Sequence, residues 1–203
     1  MKTASYLTLA ALFGALLIGA VNSESEFDLE YKIEHTSELS IKVTTNVNSF
    51  DCSSREVLPT QVLTGFLNAE KQSARFEHAV LQLHVNTLDC DNGKINSDLQ
   101  KALNADRYPF ITIKIHSAKA RRKVKRYEWV EIDAKSTLTV HGVSLPIVLQ
   151  VRGKRTGADT FHFKAEHTIK MTDHKVDPPT ALLGMIKVED EITFHLDIKV
   201  KVV

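Results

Sequence analysis

The chain has 203 residues, with 26 Lys and Arg against 25 Asp and Glu, and so a formal net charge of +1. This balance excludes a strongly basic nucleic-acid-binding protein and a long acidic tail, because each needs a concentrated charge of one sign. Hydrophobic residues at 43% and charged residues at 25%, with only 8 Gly and 5 Pro, indicate an ordinary globular protein of one domain.

The first 23 residues have the pattern of a secretory signal peptide. Lys2 is the only charged residue before a short apolar run at positions 7–21, and small residues follow that run. We therefore expect residues 1–23 to be removed and residues 24–203 to form the mature domain, in the periplasm or secreted. An uncleaved membrane anchor is the alternative, although a membrane span usually needs roughly 20 strongly apolar residues.

Cys52 and Cys90 are the two cysteines of the chain. In an oxidising compartment two thiols tend to pair, so a structural disulfide is the expected state. A metal site would need further ligands at close spacing, and a redox site would need a CxxC motif. Free or reactive thiols remain the alternative at this point.

Apolar and polar residues alternate in segment after segment from residue 26 onward, which predicts half-buried antiparallel strands. In the segment FITIKIH, for example, Ile111, Ile113 and Ile115 alternate with polar residues. The same pattern predicts the following inward-facing residues: Ile41, Val43, Thr45 and Val47; Val143, Leu145, Ile147, Leu149 and Val151; Phe161, Phe163, Ala165, His167, Ile169 and Met171; Ile192, Phe194, Leu196, Ile198, Val200 and Val202.

One short helix and several turns interrupt the strand pattern. The segment NSDLQKALNAD predicts a helix of about two turns, with Ser97 as its cap and with Leu99 and Leu103 on one face. Turn-forming residues cluster at positions 91–94, 122–126 and 153–159, where we expect hairpins.

About eight strands with one apolar face close either as a sandwich or as a barrel, and the alternation does not choose between them. A barrel of that size is either filled by side chains or leaves room for one small ligand. The sequence pattern alone leaves both interiors open.

Other residue clusters carry weaker signals. The basic run of Arg121, Arg122, Lys123, Lys125 and Arg126 would suit transient contact with an anionic membrane, but such a run is more often a solvated turn. It lacks the interleaved aromatic residues of a nucleic-acid-binding segment. The nine histidines form no HExxH or HxH pair, and no nucleophile motif occurs, so we expect neither a metal site nor catalytic residues.

The segment STLTVHGVSLPIVLQV, followed by FHFKAEHTIKM and DEITFHLDIKV, resembles the YceI-like family of exported lipid-binding proteins. The family hairpin motif is matched by Leu138, Thr139, Gly142, Pro146 and Ile147, and the resemblance runs through most of residues 27–203. It implies an all-β, lipocalin-like, extended antiparallel barrel with one short helix.

The resemblance also implies a ligand, namely a long isoprenoid lipid such as a polyprenyl phosphate or a quinone, held in the barrel by a carrier or store that is not an enzyme. No other cofactor is implied. On this reading the apolar channel is formed by Ile111, Ile113, Ile115, Leu138, Val140, Phe161, Phe163, Ile169, Leu183, Phe194 and Leu196. The alternative is a structural or interaction protein whose barrel is packed solid.

Overall fold

A computed structural model describes residues 24–54, 60–125, 127–181 and 185–203. These residues form twelve β-strands, one α-helix (α1, Gly93–Ala102) and two short 3₁₀ turns, Val85–Thr87 and Thr172–His174. The strands are β1 Ser25–Ile33, β2 Glu38–Thr45, β3 Ser49–Ser54, β4 Gln61–Asn68, β5 Ser73–His78, β6 Val80–His84, β7 Phe110–Ala120, β8 Val130–Val140, β9 Val143–Arg155, β10 Thr160–Lys170, β11 Thr180–Ala181 and β12 Ile186–Val202. The predicted signal peptide, residues 1–23, lies outside the described residues.

Eight of the twelve strands close into a ring. The ladder runs β1–β4–β5–β7–β8–β9–β10–β12 and returns to β1, where Tyr31 pairs with Val202 and Ile33 with Val200. All of these pairings are antiparallel. The predicted lipocalin-like antiparallel barrel is therefore confirmed, because a sandwich would have left two separate sheets.

The remaining strands extend the ring at one end. β6 pairs with the first half of β7, β2 pairs with the first half of β12, and β3 and β11 pair with β2 and β12. β3 then meets the segment after β6 through a bridge between Ser53 and Asp89. The neighbouring residues Cys52 and Cys90 form the predicted disulfide, which fastens this junction covalently.

The alternation of residue types in β9 shows why the sequence forms a barrel. Leu149 is buried, whereas its neighbours Val148 and Gln150 are exposed on the outer face. Because successive side chains of a strand point to opposite faces, a segment with this pattern is stable only when one face is covered. Closing the sheet on itself covers the inner face of every strand.

The turn between β8 and β9 consists of His141 and Gly142, both with positive φ angles of 51° and 73°. Positive φ at both central residues is the requirement of a type I′ turn, which suits the twist of a two-residue hairpin. The positive φ angle that this turn requires therefore explains why position 142 of the hairpin motif is a glycine.

The start of the helix was predicted wrongly. Helix α1 begins at Gly93, inside the predicted turn at 91–94, because the Asn92 side chain accepts hydrogen bonds from the backbone N–H groups of Lys94 and Ile95 at 3.0 and 3.2 Å. Asparagine is as good an N-cap as serine, and the earlier cap adds a full turn. Leu99 and Leu103 are buried as predicted.

The inward position predicted for Val47 is also wrong. β2 ends at Thr45, and the Val47 side chain is 63% exposed. The Thr45 hydroxyl accepts hydrogen bonds from the backbone N–H groups of Val47 and Asn48 at 3.2 and 3.0 Å. This local bond competes with the strand ladder and turns the chain before Val47.

Candidate functional site

An apolar cavity of about 240 Å³ lies inside the ring of strands. Two packed clusters bound it. The helix-end cluster contains Leu99, Leu103 and Leu138, and the loop-end cluster contains Val124 and Phe161. Part of the wall consists of half-buried side chains that pack against one or the other cluster, and part consists of cluster members such as Leu149 and Ala74. The barrel is thus filled at both ends and hollow between them.

A row of alanines explains why the interior is hollow at this level. Ala74 on β5 lies directly across from Ala118 on β7, and Ala118 lies across from Ala134 on β8. All three line the cavity, together with Ala79, Ala120 and Ala165. Each alanine leaves unfilled the space that a leucine or phenylalanine occupies elsewhere in the core, and the rigid backbone does not collapse to close it.

Four of the predicted channel residues come together around this cavity. Ile113, Ile115, Phe163 and Leu196 belong to its lining. Ile111 and Phe194 lie farther toward the helix end, where they surround a second cavity of only about 10 Å³.

The other predicted channel residues are placed elsewhere. Leu138, Val140 and Phe161 are each 1% exposed and Ile169 is 9% exposed, and they belong to the two packed clusters and not to the cavity wall. Leu183 lies outside the described residues. Strand alternation distinguishes the inner face from the outer face, but it does not tell how far along the barrel axis a side chain lies.

Few polar groups face the cavity, and sequence reasoning missed all of them. The Tyr31 hydroxyl donates to Oε1 of Gln61 at 2.8 Å, and burial raises the pKa of Tyr31, so the phenol stays neutral. Lys164 also borders the cavity, with its ammonium 2.7 Å from Oδ2 of Asp197. Gln72 and Ser73 are the other two polar residues of the lining.

A seam runs down one side of the barrel from the cavity. β9 and β10 pair over only five residues each, and this pairing stops at Val151 and Ala165 although both strands continue. The two residues line the cavity, so the seam begins at its wall. At the far end the seam is closed by His174, whose Nδ1 lies 3.1 Å from the carbonyl oxygen of Val143.

The basic run forms the loop between β7 and β8, beyond the loop-end cluster. Arg121 makes an ion pair with Asp133 at 2.6 Å, and Arg122 and Lys125 both approach Glu128, at 3.5 and 3.9 Å. Lys123 is exposed, and Arg126 lies outside the described residues. The loop is therefore partly neutralised by its own acidic neighbours.

The described part of the chain contains neither a cluster of metal-ligating side chains nor a membrane-spanning helix. No group of three or more His, Cys, Asp or Glu side chains in that part of the chain is placed to hold a metal ion. Among its helices, none combines the length and the apolar character needed to cross a membrane.

Comparisons with known proteins agree with this architecture. The family model of the YceI-like domain matches residues 17–200. A polyisoprenoid-binding domain from Saccharophagus degradans, implicated in plant cell wall breakdown, superposes with a TM-score of 0.62 at 15% identity, covering 86% of this chain and 99% of that one. Burkholderia cenocepacia BcnA superposes with a TM-score of 0.54 at 13% identity, covering 82% and 98%. No curated protein sequence matches the chain. At these identities the superpositions establish the fold.

Proposed function

Because the chain belongs to the YceI-like family and its ring of strands encloses an apolar cavity, we propose that it binds the chain of a long isoprenoid-type lipid, such as a polyprenyl phosphate or a quinone. The cavity is the observation that carries this proposal. Apolar cavities of about 150 Å³ stay dry and accept benzene, so one of about 240 Å³ has room for a segment of an apolar chain.

The energetics favour such a ligand. Each CH₂ group that leaves water contributes roughly 0.8 kcal/mol, so a few isoprene units provide a substantial binding free energy without any strong polar contact. The similar fold of a polyisoprenoid-binding domain supports the same ligand class. A ligand held in this way is carried or stored, and the proposal includes no chemical step. The alternative, a structural or interaction protein with a solid-packed barrel, is less favoured because the middle level of the described interior is unfilled.

We further propose that the protein works in the periplasm or outside the cell. The disulfide between Cys52 and Cys90 supports this location, since disulfides persist in oxidising compartments. The apolar segment at positions 7–21 supports it independently. Fractionating cells and sequencing the N-terminus test the proposal: an exported protein that starts near residue 24 supports it, an exported protein with an intact Met1 favours the uncleaved anchor, and recovery from the cytoplasm contradicts it.

Transient contact with an anionic membrane through the β7–β8 loop is part of the same proposal, because a lipid carrier must load from a bilayer. The positive charge comes from exposed Lys123 and from the equally exposed Arg121, Arg122 and Lys125, which are near acidic side chains. Co-sedimentation with vesicles containing an anionic lipid tests this: Lys123→Glu combined with Lys125→Glu should weaken binding, and unchanged binding would remove the loop from the proposal.

The decisive experiment is native mass spectrometry of the purified mature protein, followed by organic extraction. We expect a stoichiometric apolar adduct in the wild type. Phe163→Asp places a charge at the cavity wall and should abolish the adduct. Val148→Asp is the matched control, because Val148 is 51% exposed on the outer face of β9 and its replacement should leave the adduct in place. If the spectrum shows the protein mass without any adduct, and this mass does not change after incubation with prenyl lipids, the result would favour the interaction protein.

A further inference from the structure

A row of lysines lies on the outer face of the barrel, near the end that carries the β7–β8 loop and the β9–β10 hairpin. Lys154, His162 and Lys199 lie directly opposite one another across β9, β10 and β12. Two residues closer to that end of β12, Lys201 lies opposite Lys32 of β1. We call this end of the barrel the loop end, and Lys32, Lys154, Lys199 and Lys201 the lysine row.

The lysine row has no acidic partner. None of its four lysines forms an ion pair with a described carboxylate. The acidic side chains of the same face already have partners: Asp197 lies 2.7 Å from Lys164 and 2.5 Å from His162, and Glu131 lies 3.5 Å from Arg152. The positive charge of the row is therefore not neutralised within the barrel.

This arrangement works against the stability of the sheet. Lys32 and Lys201 are direct cross-strand neighbours, and like charges in that position destabilise a pair of strands. Glu30 and Glu34, two positions before and after Lys32 in the chain, pair with neither lysine. An anionic partner outside the chain would supply the countercharge that the fold lacks.

Trp129 connects the lysine row to the basic β7–β8 loop. Lys154 and Arg152 lie over its ring, 5.9 and 5.2 Å from the centroid, and its carbonyl oxygen accepts a hydrogen bond from Arg122 at 2.5 Å. Trp129 is half-buried, and Tyr127 in the same loop is 52% exposed. Tryptophan and tyrosine rings beside long cationic side chains are typical of a membrane–water interface, which favours a bilayer over an acidic protein as the partner.

We propose that the loop end docks on an anionic lipid surface, with the lysine row along its rim and Trp129 at the level of the headgroups. Lys201 is one residue from the end of β12, and each strand residue spans about 3.3 Å, so a surface that touches the loop end lies within the Debye length of about 8 Å. This inference rests on the proposed membrane contact of the β7–β8 loop. It extends that contact to four strands and defines how the barrel is oriented.

Trp129 is the single tryptophan of the chain, so the fluorescence of the unmodified mature protein tests the inference. With vesicles of phosphatidylcholine and phosphatidylglycerol, its emission should shift to shorter wavelength, brominated lipids should quench it, and high salt should reverse both effects. Pure phosphatidylcholine vesicles should cause no shift. Co-sedimentation with unchanged Trp129 emission would overturn the proposed orientation. Absence of any binding to the anionic vesicles would overturn the inference and leave an acidic protein as the partner to test.

Lys32→Gln combined with Lys201→Gln should weaken vesicle binding about tenfold to thirtyfold, because each lysine near an anionic surface contributes about a factor of five. The same change should leave the urea midpoint unchanged or higher, since it removes two opposed like charges. The matched control, Lys170→Gln with Lys187→Gln, removes two exposed lysines of β10 and β12 at the opposite end of the barrel and should retain binding. Equal losses in the two variants would mean that net charge alone decides, against the inference.

Native mass spectrometry separates this inference from the proposed lipid binding. If the apolar adduct is present but the vesicles do not bind, only the docking surface is wrong. If the vesicles bind with the expected shift of Trp129 emission but no prenyl lipid is ever carried, the docking surface is supported and the proposed lipid binding fails.

Discussion

The buried imidazole of His174 donates a hydrogen bond from Nδ1 to the carbonyl oxygen of Val143, 3.1 Å away. The acceptor is a carbonyl, so Nδ1 carries the proton. This bond joins the 3₁₀ turn after β10 to the first residue of β9, at the end of the seam where the two strands do not pair. A single side chain thereby links β9 to the segment after β10 at the end of the stretch where the two strands do not pair.

We expect His174→Ala to lower the free energy of unfolding by about 2–4 kcal/mol, because it leaves a cavity and an unpaired carbonyl. Urea unfolding measures this loss. The control is His78→Ala, since His78 is exposed and its removal should change stability by less than about 0.5 kcal/mol. Equal small effects of the two substitutions would show that His174 does not hold the seam.

Gly142 offers a second test of the fold. Its φ angle is 73°, and a Cβ at this position would lie 2.5 Å from Cε1 of Tyr108. Gly142→Ala should therefore cost about 1–3 kcal/mol, through backbone strain and displacement of the tyrosine ring. Gly93→Ala is the matched control, because no atom lies within 4 Å of its added Cβ and alanine favours the helix. Thermal unfolding should separate the two variants clearly, and a neutral Gly142→Ala would contradict the turn geometry.

Strand geometry determines which features of the barrel could be predicted from the sequence. Alternation identified the inner face of β9 correctly, because facing inward or outward depends only on the parity of the position. It did not reveal the hollow level, since Ala74, Ala118 and Ala134 become neighbours only through the registers of three strands. Gln72 was missed for a related reason: it lies in a turn, where no alternation indicates which way a side chain points.

His167 makes stability depend on pH. It lies half-buried on β10, and burial lowers the pKa of its imidazole. The unfolded chain therefore takes up the proton first as the pH falls through about 6.5, and the folded state loses stability below that value. His167→Gln has no imidazole to protonate. The melting temperatures of wild type and variant should therefore differ by a constant amount above about pH 7. At lower pH the melting temperature of the wild type should fall relative to that of the variant.

The exposed His78 again supplies the control for this pH series. His78→Gln should follow the wild-type melting curve across the same range, because the His78 side chain is exposed and the substitution removes no packed contact. A constant difference between wild type and His167→Gln from pH 7.5 to pH 5 would mean that His167 does not contribute to the acid sensitivity.

Filling the cavity tests whether the alanine row exists for the ligand. Ala118→Leu adds three carbon atoms where the 240 Å³ space offers room, so we expect unchanged or higher stability. Ala105→Leu makes the same change in the packed helix-end cluster, where overpacking should cost about 1–3 kcal/mol. In native mass spectra the apolar adduct should be reduced or absent in Ala118→Leu although the protein is fully folded. If Ala118→Leu instead destabilises the fold as much as Ala105→Leu, the space at this level is too small to hold a lipid chain.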